Sequence, residues 1–118
     1  MAMGENRRPA SQSFPRLTAS GCAALRKGDL DQALTLFEQS LSRARQDEEE
    51  ENVNKALSNL STCHIEMGDY EKAAAGLREI ILRSRDDETI CGASYNLSIS
   101  LRRMGKHSKA FVYARKAF

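Results

Sequence analysis

Apolar residues recur three and four positions apart through most of the chain, which is the spacing of helices with one buried face. The clearest stripes follow two glycines, and their members are Leu30, Ala33, Leu34, Phe37 and Leu41 after Gly28, and Tyr70, Ala73, Leu77, Ile80 and Ile81 after Gly68. The residues from Gly28 read Gly-Asp-Leu-Asp-Gln-Ala, and those from Gly68 read Gly-Asp-Tyr-Glu-Lys-Ala. A looser copy, Gly-Lys-His-Ser-Lys-Ala, starts at Gly105. The pattern predicts one helix-turn-helix unit written three times.

Each copy has the chemistry of a turn between two helices. The glycine is expected to take the left-handed backbone conformation that ends the first helix. Asp29 and Asp69 then supply side-chain oxygens that can cap the next helix. Acidic residues at 47–51 and 86–88 are expected at the starts of further helices, where negative charge suits the helix dipole. Stacked units of this kind form grooves for partner proteins rather than catalytic pockets.

The repeats divide the chain into a leading segment and one domain. Residues 1–14 are polar and lack periodicity, so we expect them to be disordered. Pro15 suits the first turn of a helix, and the domain is expected over residues 15–118, with repeats at about 15–48, 49–86 and 87–118. The fold class is all-α, and a plain antiparallel helical bundle is the alternative.

The charge balance adds one alternative function. A formal net charge of +2 is too small to indicate nucleic-acid binding by itself. Residues 102–118 nevertheless carry six basic side chains and no acidic one. An RNA-binding helical repeat that uses this basic segment is therefore the alternative, although few aromatic residues are present to stack on bases. Nucleic acid is thus not the expected partner.

Catalytic and metal sites are not expected. Cys22, Cys63 and Cys91 are odd in number and widely spaced, which indicates free thiols rather than disulfides or a zinc site. On a helix, the adjacent side chains of Cys63 and His64 would point about 100° apart, so we expect them to fill helix interfaces rather than act as a nucleophile and its base. The sequence has no phosphate-binding glycine loop. We expect no enzymatic activity and no cofactor.

The sequence also gives an expected location. It has no apolar stretch long enough to span a bilayer and no apolar core of a signal peptide. Its start contains Arg and Ser, as mitochondrial transit peptides do, but lacks an amphipathic apolar face. A cytoplasmic protein is therefore expected.

The repeated unit resembles the tetratricopeptide repeat (TPR), whose signature is Leu and a small residue in the first helix, Gly-Asp-Tyr at the turn and Ala early in the second helix. The second unit matches this signature with Asn59-Leu60-Ser61, Gly68-Asp69-Tyr70 and Ala73. The third unit matches it in part, with Asn96-Leu97-Ser98, Gly105 and Ala110. The first unit matches it with Gly21, Gly28, Asp29 and Ala33, although Ser20 replaces the Leu. The resemblance covers about residues 15–118 and implies an all-α superhelix, or solenoid, of three TPR-like repeats. The paired helices of one unit are expected to cross closely at their small residues, which are Gly21 and Ala33, Ser61 and Ala73, and Ser98 and Ala110.

The length of the repeat narrows the resemblance. The turn glycines are 40 and 37 residues apart, and a spacing near 40 is similar to the repeats of Pins-type G-protein signalling modulators, kinesin light chain and rapsyn. Those proteins are scaffolds that recognise peptide segments of other proteins. The resemblance therefore implies a non-catalytic adaptor or scaffold that binds a peptide segment of a partner protein in the concave groove of its stacked repeats.

Two asparagines are the leading candidates for contact with that peptide. In the family the first helices line the concave surface, and Asn59 and Asn96 each lie nine residues before their turn glycine. The two amides are expected in register along the groove, where each can donate to and accept from an extended peptide backbone. The alternative is that each amide bonds the backbone of a neighbouring helix.

Helical spacing adds further groove candidates, and these are Lys55, Ser58, Thr62 and Glu66 in unit two, Tyr95, Ile99, Arg102 and Arg103 in unit three, and Thr18, Cys22, Leu25 and Arg26 in unit one. Arg102 and Arg103 could bind carboxylates, which would favour an acidic ligand, or could be solvated surface residues. The family's carboxylate clamp, which binds chaperone tails, is not expected. The positions that correspond to the clamp hold Thr18, Cys22, Asn59, Gly92 and Asn96, and only Asn59 is the residue type that the clamp has at its position.

The last predicted helix is unusually apolar for the end of a stack. It carries Phe111, Val112, Ala114 and Phe118, whereas stacked repeats need a polar closing helix. We therefore expect the chain to open a longer array or to self-associate through this helix.

Overall fold

The computed structural model describes residues 13–117. Its six helices, in chain order, are α1 (Phe14–Arg26), α2 (Leu30–Gln46), α3 (Glu50–Glu66), α4 (Tyr70–Arg83), α5 (Asp87–Arg103) and α6 (His107–Ala117). No strand occurs within the described range. The expectation of a disordered start falls on residues 1–12, which lie outside the described residues, and on Ser13 and Phe14, where α1 begins. Phe118 lies outside them as well.

The turns between paired helices have the predicted geometry. Gly28, Gly68 and Gly105 have φ angles of 82°, 80° and 79°, in the left-handed region that costs other residues roughly 1–2 kcal/mol. Asp29 accepts a hydrogen bond from the backbone amide of the third residue after it at 3.2 Å, and Asp69 does the same at 3.4 Å. Each repeated Gly-Asp therefore ends one helix and caps the next.

The helices form an open stack. Each helix packs against the next one in the chain, and α1 also touches α3. The described chain measures 57 by 31 by 18 Å, which is too elongated for a closed bundle of six short helices. The fold is therefore an all-α superhelix of helix-turn-helix units, as the sequence predicted.

Small residues mark the close crossings within units one and two. The Ser61 hydroxyl donates to the backbone carbonyl of Ala73 at 3.4 Å, which confirms the predicted pair in unit two. A β-carbon added to Gly76 would lie 2.8 Å from the same hydroxyl oxygen, so this glycine, which the sequence did not single out, shares the crossing. In unit one, a β-carbon on Gly21 would lie 2.5 Å from the Phe37 ring. Gly21 thus makes room for a phenyl ring, rather than only for the small Ala33 that the sequence suggested.

Two groups of buried apolar side chains hold the stack together. One joins units two and three through Leu57, Leu77 and Leu97. The other joins unit one to α3 through Phe37 and Leu60. Because α3 and α5 each contribute to these groups, the stacking of consecutive units is fixed by buried leucines.

A network of charged side chains links three helices at the surface. The Arg83 guanidinium bonds Glu50 of α3 at 2.8 Å and Glu79 of α4 at 2.9 Å. Arg45 of α2 bonds the same Glu79 at 3.1 Å. The network therefore ties unit one to unit two. Among residues 13–117, no helix combines the length and apolar character needed to cross a bilayer.

Candidate functional site

A cavity of about 490 Å³ opens between α3 and α5. Its lining residues from α3 are Glu51, Asn54, Lys55 and Ser58. These positions are three or four apart, so they share one face of the helix. The opposite face of α3 carries the buried Val53 and Leu57, and their burial in the core holds the lining face toward α5.

The other wall is the start of α5. Its lining residues are Glu88, Thr89, Gly92, Ala93 and Asn96, and Ile80, Ser84 and Asp86 complete the lining from α4 and the loop that follows it. A β-carbon added to Gly92 would have nothing within 4 Å. The buried Ile80 and Ala93 add apolar surface, so the cavity combines apolar and polar walls.

Three of the predicted groove residues line this cavity, and they are Lys55, Ser58 and Asn96. The other predicted residues are not part of its lining, and they are Asn59, Thr62, Glu66, Tyr95, Ile99, Arg102, Arg103, Leu25, Arg26, Thr18 and Cys22. Asn59 and Asn96 are both half-buried. The structure therefore brings Asn96 together with the α3 candidates and leaves Asn59 outside this cavity.

Several of the outlying candidates have partners of their own. The Thr62 hydroxyl donates to the Ser58 carbonyl at 3.1 Å, within its own helix. The Arg103 guanidinium lies 3.5 Å from the Tyr70 hydroxyl at the start of α4. Cys22 and Leu25 pack against the buried group around Phe37. These contacts give the residues structural roles beside any contact with a ligand.

Sequence reasoning missed the acidic side of the cavity. Glu51 lies one turn before Lys55, and Glu88 lies two turns before Asn96, so helical spacing alone places each pair on one face. From the sequence, both glutamates are expected only as favourable charges at helix starts. Asn54, another missed residue, lines the cavity, and its side-chain carbonyl oxygen is buried without a hydrogen-bond donor among the described residues.

Negative charge predominates in the cavity. Three carboxylates, those of Glu51, Asp86 and Glu88, line it together with the single ammonium group of Lys55. Thr89 donates to Asp86 from its hydroxyl at 2.7 Å and from its backbone amide at 2.9 Å. These two hydrogen bonds lower the pKa of Asp86 and keep its carboxylate ionised. The sign of this charge is opposite to the one that Arg102 and Arg103 suggested for the groove.

The adjacent Cys63 and His64 differ in burial. Cys63 is fully buried beside Phe37 and Ala24, and burial raises the pKa of its thiol. His64 is half-buried, and burial lowers the pKa of its imidazole. A buried thiol with a raised pKa is a poor nucleophile. Within residues 13–117, no three His, Cys, Asp or Glu side chains are grouped as metal ligands would be.

The outer face of α6 is a second exposed feature. Phe111 is 64% exposed and Val112 is 60% exposed. Counted from the turn glycines, Phe111 corresponds to Leu34 in unit one and Ala74 in unit two. Leu34 is half-buried and Ala74 is buried, the latter in the group that joins units two and three. The apolar face that neighbouring units cover on α2 and α4 is therefore open on α6.

The comparisons with known proteins agree with this architecture. A family model for the tetratricopeptide repeat matches residues 19–81, just over half of the 118 residues. The crystal structure of the TPR domain of Arabidopsis FLU is similar, with a TM-score of 0.84 and 20% sequence identity over 92% of this chain and 94% of that chain. At that identity the likeness shows the fold alone. No curated protein matched the sequence. Family match and fold together show that the chain belongs to the tetratricopeptide repeat family.

Proposed function

We propose that this chain is an adaptor that binds an extended peptide segment of a partner protein along α3 and α5. TPR domains are protein-interaction modules, and they are typically non-catalytic. The observation that carries the proposal is the cavity between the first helices of units two and three. Nine of its twelve lining residues are polar or charged, so it can form hydrogen bonds with the backbone and side chains of an extended peptide.

Asn96 is the residue that we expect to hold the peptide backbone. It lines the cavity and is half-buried, so a peptide in the cavity can contact it. An asparagine amide can donate to one peptide group and accept from another. Asn59 has the equivalent position in unit two. We propose that it makes the same contact with a neighbouring part of the peptide, outside the cavity.

The experiment compares partner capture by the wild type and by an Asn59→Ala/Asn96→Ala double variant. The matched control is Gln32→Ala/Gln39→Ala, which removes two exposed amides from α2. We expect the control to recover the same proteins as the wild type and the asparagine variant to lose them, while all three melt cooperatively. Equal recovery by all three proteins would rule out the asparagines as the contact site.

The RNA-binding alternative is tested with the wild-type protein. Binding that depends on phosphate contacts weakens steeply as salt rises. A fluorescently labelled single-stranded RNA should therefore bind the wild type at low salt if residues 102–117 form an RNA site. We expect no binding at low salt.

A further inference from the structure

We propose that the cavity between α3 and α5 recognises a lysine or arginine side chain in the bound segment of the partner protein. This inference rests on the proposed function, because it names the residue type that the same groove selects. It follows from the distribution of charge in the lining, from the hydrogen-bond acceptors that the lining offers and from the open space beside Gly92.

The carboxylates are grouped at one end of the cavity. Glu51 and Glu88 lie in the first turns of α3 and α5, and Asp86 caps α5. Lys55 lies one turn further along α3. Neither Glu51 nor Glu88 has an ion-pair partner among the described residues. A cationic head group that enters at this end would therefore meet carboxylates that are not yet neutralised.

Neighbouring positive charges offset part of this negative charge. The helix starts carry roughly half a positive charge each within their first turns, where Glu51 and Glu88 lie. An adjacent depression adds Glu50 and the guanidinium groups of Arg83 and Arg85, and because Arg83 is already bonded to Glu50 and Glu79, Arg85 is the further cation. The cavity lining itself therefore keeps three carboxylates against one ammonium group.

The charged groups of the lining are mostly acceptors. The carboxylates of Glu51, Asp86 and Glu88 accept hydrogen bonds and, when ionised, have none to donate. Lysine and arginine head groups bring three and five N–H donors respectively and no acceptor, so they suit these carboxylates.

The apolar wall suits the rest of such a side chain. Lysine and arginine have aliphatic stems that pack on apolar surface while the charged head group stays hydrated or paired. Ile80 and Ala93 lie in the wall, and the missing side chain of Gly92 leaves open space beside Ala93 in which such a stem can lie. A phosphate or carboxylate group would meet repulsion from the three carboxylates.

The test is a selection of phage-displayed random twelve-residue peptides on three forms of the full chain. These forms are the wild type, Glu51→Gln/Glu88→Gln, and the control Glu38→Gln/Glu71→Gln, which removes the same charge from exposed positions of α2 and α4 outside the cavity. We expect the wild type and the control to enrich peptides with Lys or Arg at one fixed position. The cavity variant should enrich peptides without that preference.

A second measurement separates a direct contact from a general loss of structure. The best selected peptide and a copy with its fixed cation replaced by Gln are titrated into all three proteins by fluorescence anisotropy. For the cationic peptide, Glu51→Gln/Glu88→Gln should weaken binding roughly 3- to 10-fold, as partly exposed ion pairs do. For the Gln peptide, Glu51→Gln/Glu88→Gln should change the affinity little, because the peptide already lacks the cation with which these glutamates would interact.

The outcomes distinguish this inference from the function on which it rests. Peptides that are enriched without a fixed cation, or that lose affinity equally with and without it, would overturn the cationic specificity. The proposed function would then still stand if Asn59→Ala/Asn96→Ala lost those peptides. If the wild type enriches no peptide at all, the proposed function fails, and the cationic specificity fails with it.

Discussion

Replacing Gly92 by alanine should make the protein more stable. Gly92 lies inside α5, and a β-carbon there would have no atom within 4 Å. Glycine in a helix interior costs about 0.8–1.0 kcal/mol relative to alanine. We expect Gly92→Ala to raise the free energy of unfolding by about that amount, which corresponds to a rise in melting temperature of roughly 3–6 °C at this chain length.

The same substitution should weaken binding. The new methyl group would project into the open space of the cavity, where we propose that the stem of a cationic side chain lies. A selected peptide should therefore bind Gly92→Ala less tightly than the wild type, although the folded protein is more stable. Gain of stability with loss of binding is the combination expected when an open position is kept for a ligand rather than for the fold.

Gly21→Ala is the matched comparison, because it makes the same change where space is lacking. Its β-carbon would lie 2.5 Å from the Phe37 ring. Overpacking of a core costs about 1–3 kcal/mol, which exceeds the helix gain of about 1 kcal/mol, so we expect a net loss of up to roughly 2 kcal/mol.

Thermal and urea denaturation, followed by circular dichroism, compare the two variants with the wild type. If Gly92→Ala is no more stable than the wild type, the cavity wall is not open at that position. If Gly21→Ala is as stable as the wild type, α1 and α2 do not cross as closely as described.

Three further predictions follow from other parts of the stack. Replacing Arg83 by Met should lower the melting temperature, because it removes the bonds to Glu50 and Glu79. In 1 M salt the difference in melting temperature from the wild type should shrink, since salt screens exposed ion pairs, and a difference that salt leaves unchanged would contradict this. Burial lowers the pKa of His64 in the folded state, so the unfolded chain takes up the proton first as pH falls below the unfolded pKa of about 6.5. The folded protein therefore loses stability between that pH and its own lower pKa. His64→Gln should show a smaller fall in melting temperature between pH 8 and pH 5 than the wild type. Replacing the exposed Phe111 by Ser should reduce self-association in sedimentation velocity, whereas a wild type that is monomeric at all concentrations would exclude self-association through α6.

The turns could be predicted from the sequence because their causes are local. Gly28 and Gly68 each need a left-handed conformation, and the aspartates after them need only the amides of the next helical turn. Such requirements leave a signature within six residues, and the signature occurs in recognisable form three times. The family resemblance and the superhelical fold rest on the same signature.

The packing partners of the small residues were less predictable. Gly21 was expected to face Ala33, but the Phe37 ring fills the space beside it. Which residue of α2 meets a given position of α1 depends on the angle at which the two helices cross. Ridges of side chains on both helices set that angle, so it cannot be inferred from the two small residues alone.

The acidic side of the cavity depends on geometry between units. A glutamate in the first turn of a helix suits the dipole whether it faces solvent or the neighbouring unit. Glu51 and Glu88 could therefore be assigned to helix starts from the sequence, but not to one cavity. That assignment requires the offset between α3 and α5, which is fixed by buried residues such as Leu57 and Leu97.

Comparison of the repeats explains why the space lies beside α5. Counted back from the turn glycines, Gly92 of unit three corresponds to Lys55 of unit two, and Glu88 corresponds to Glu51. The glutamate is thus present in both units, whereas the long side chain one turn later is present only in unit two. Its absence in unit three leaves open space and removes one positive charge from beside Glu88. A single position of the repeat, held by glycine in place of lysine, therefore adds open space to the cavity and leaves Glu88 without a neighbouring cation one turn away, and both features favour recognition of a cationic side chain.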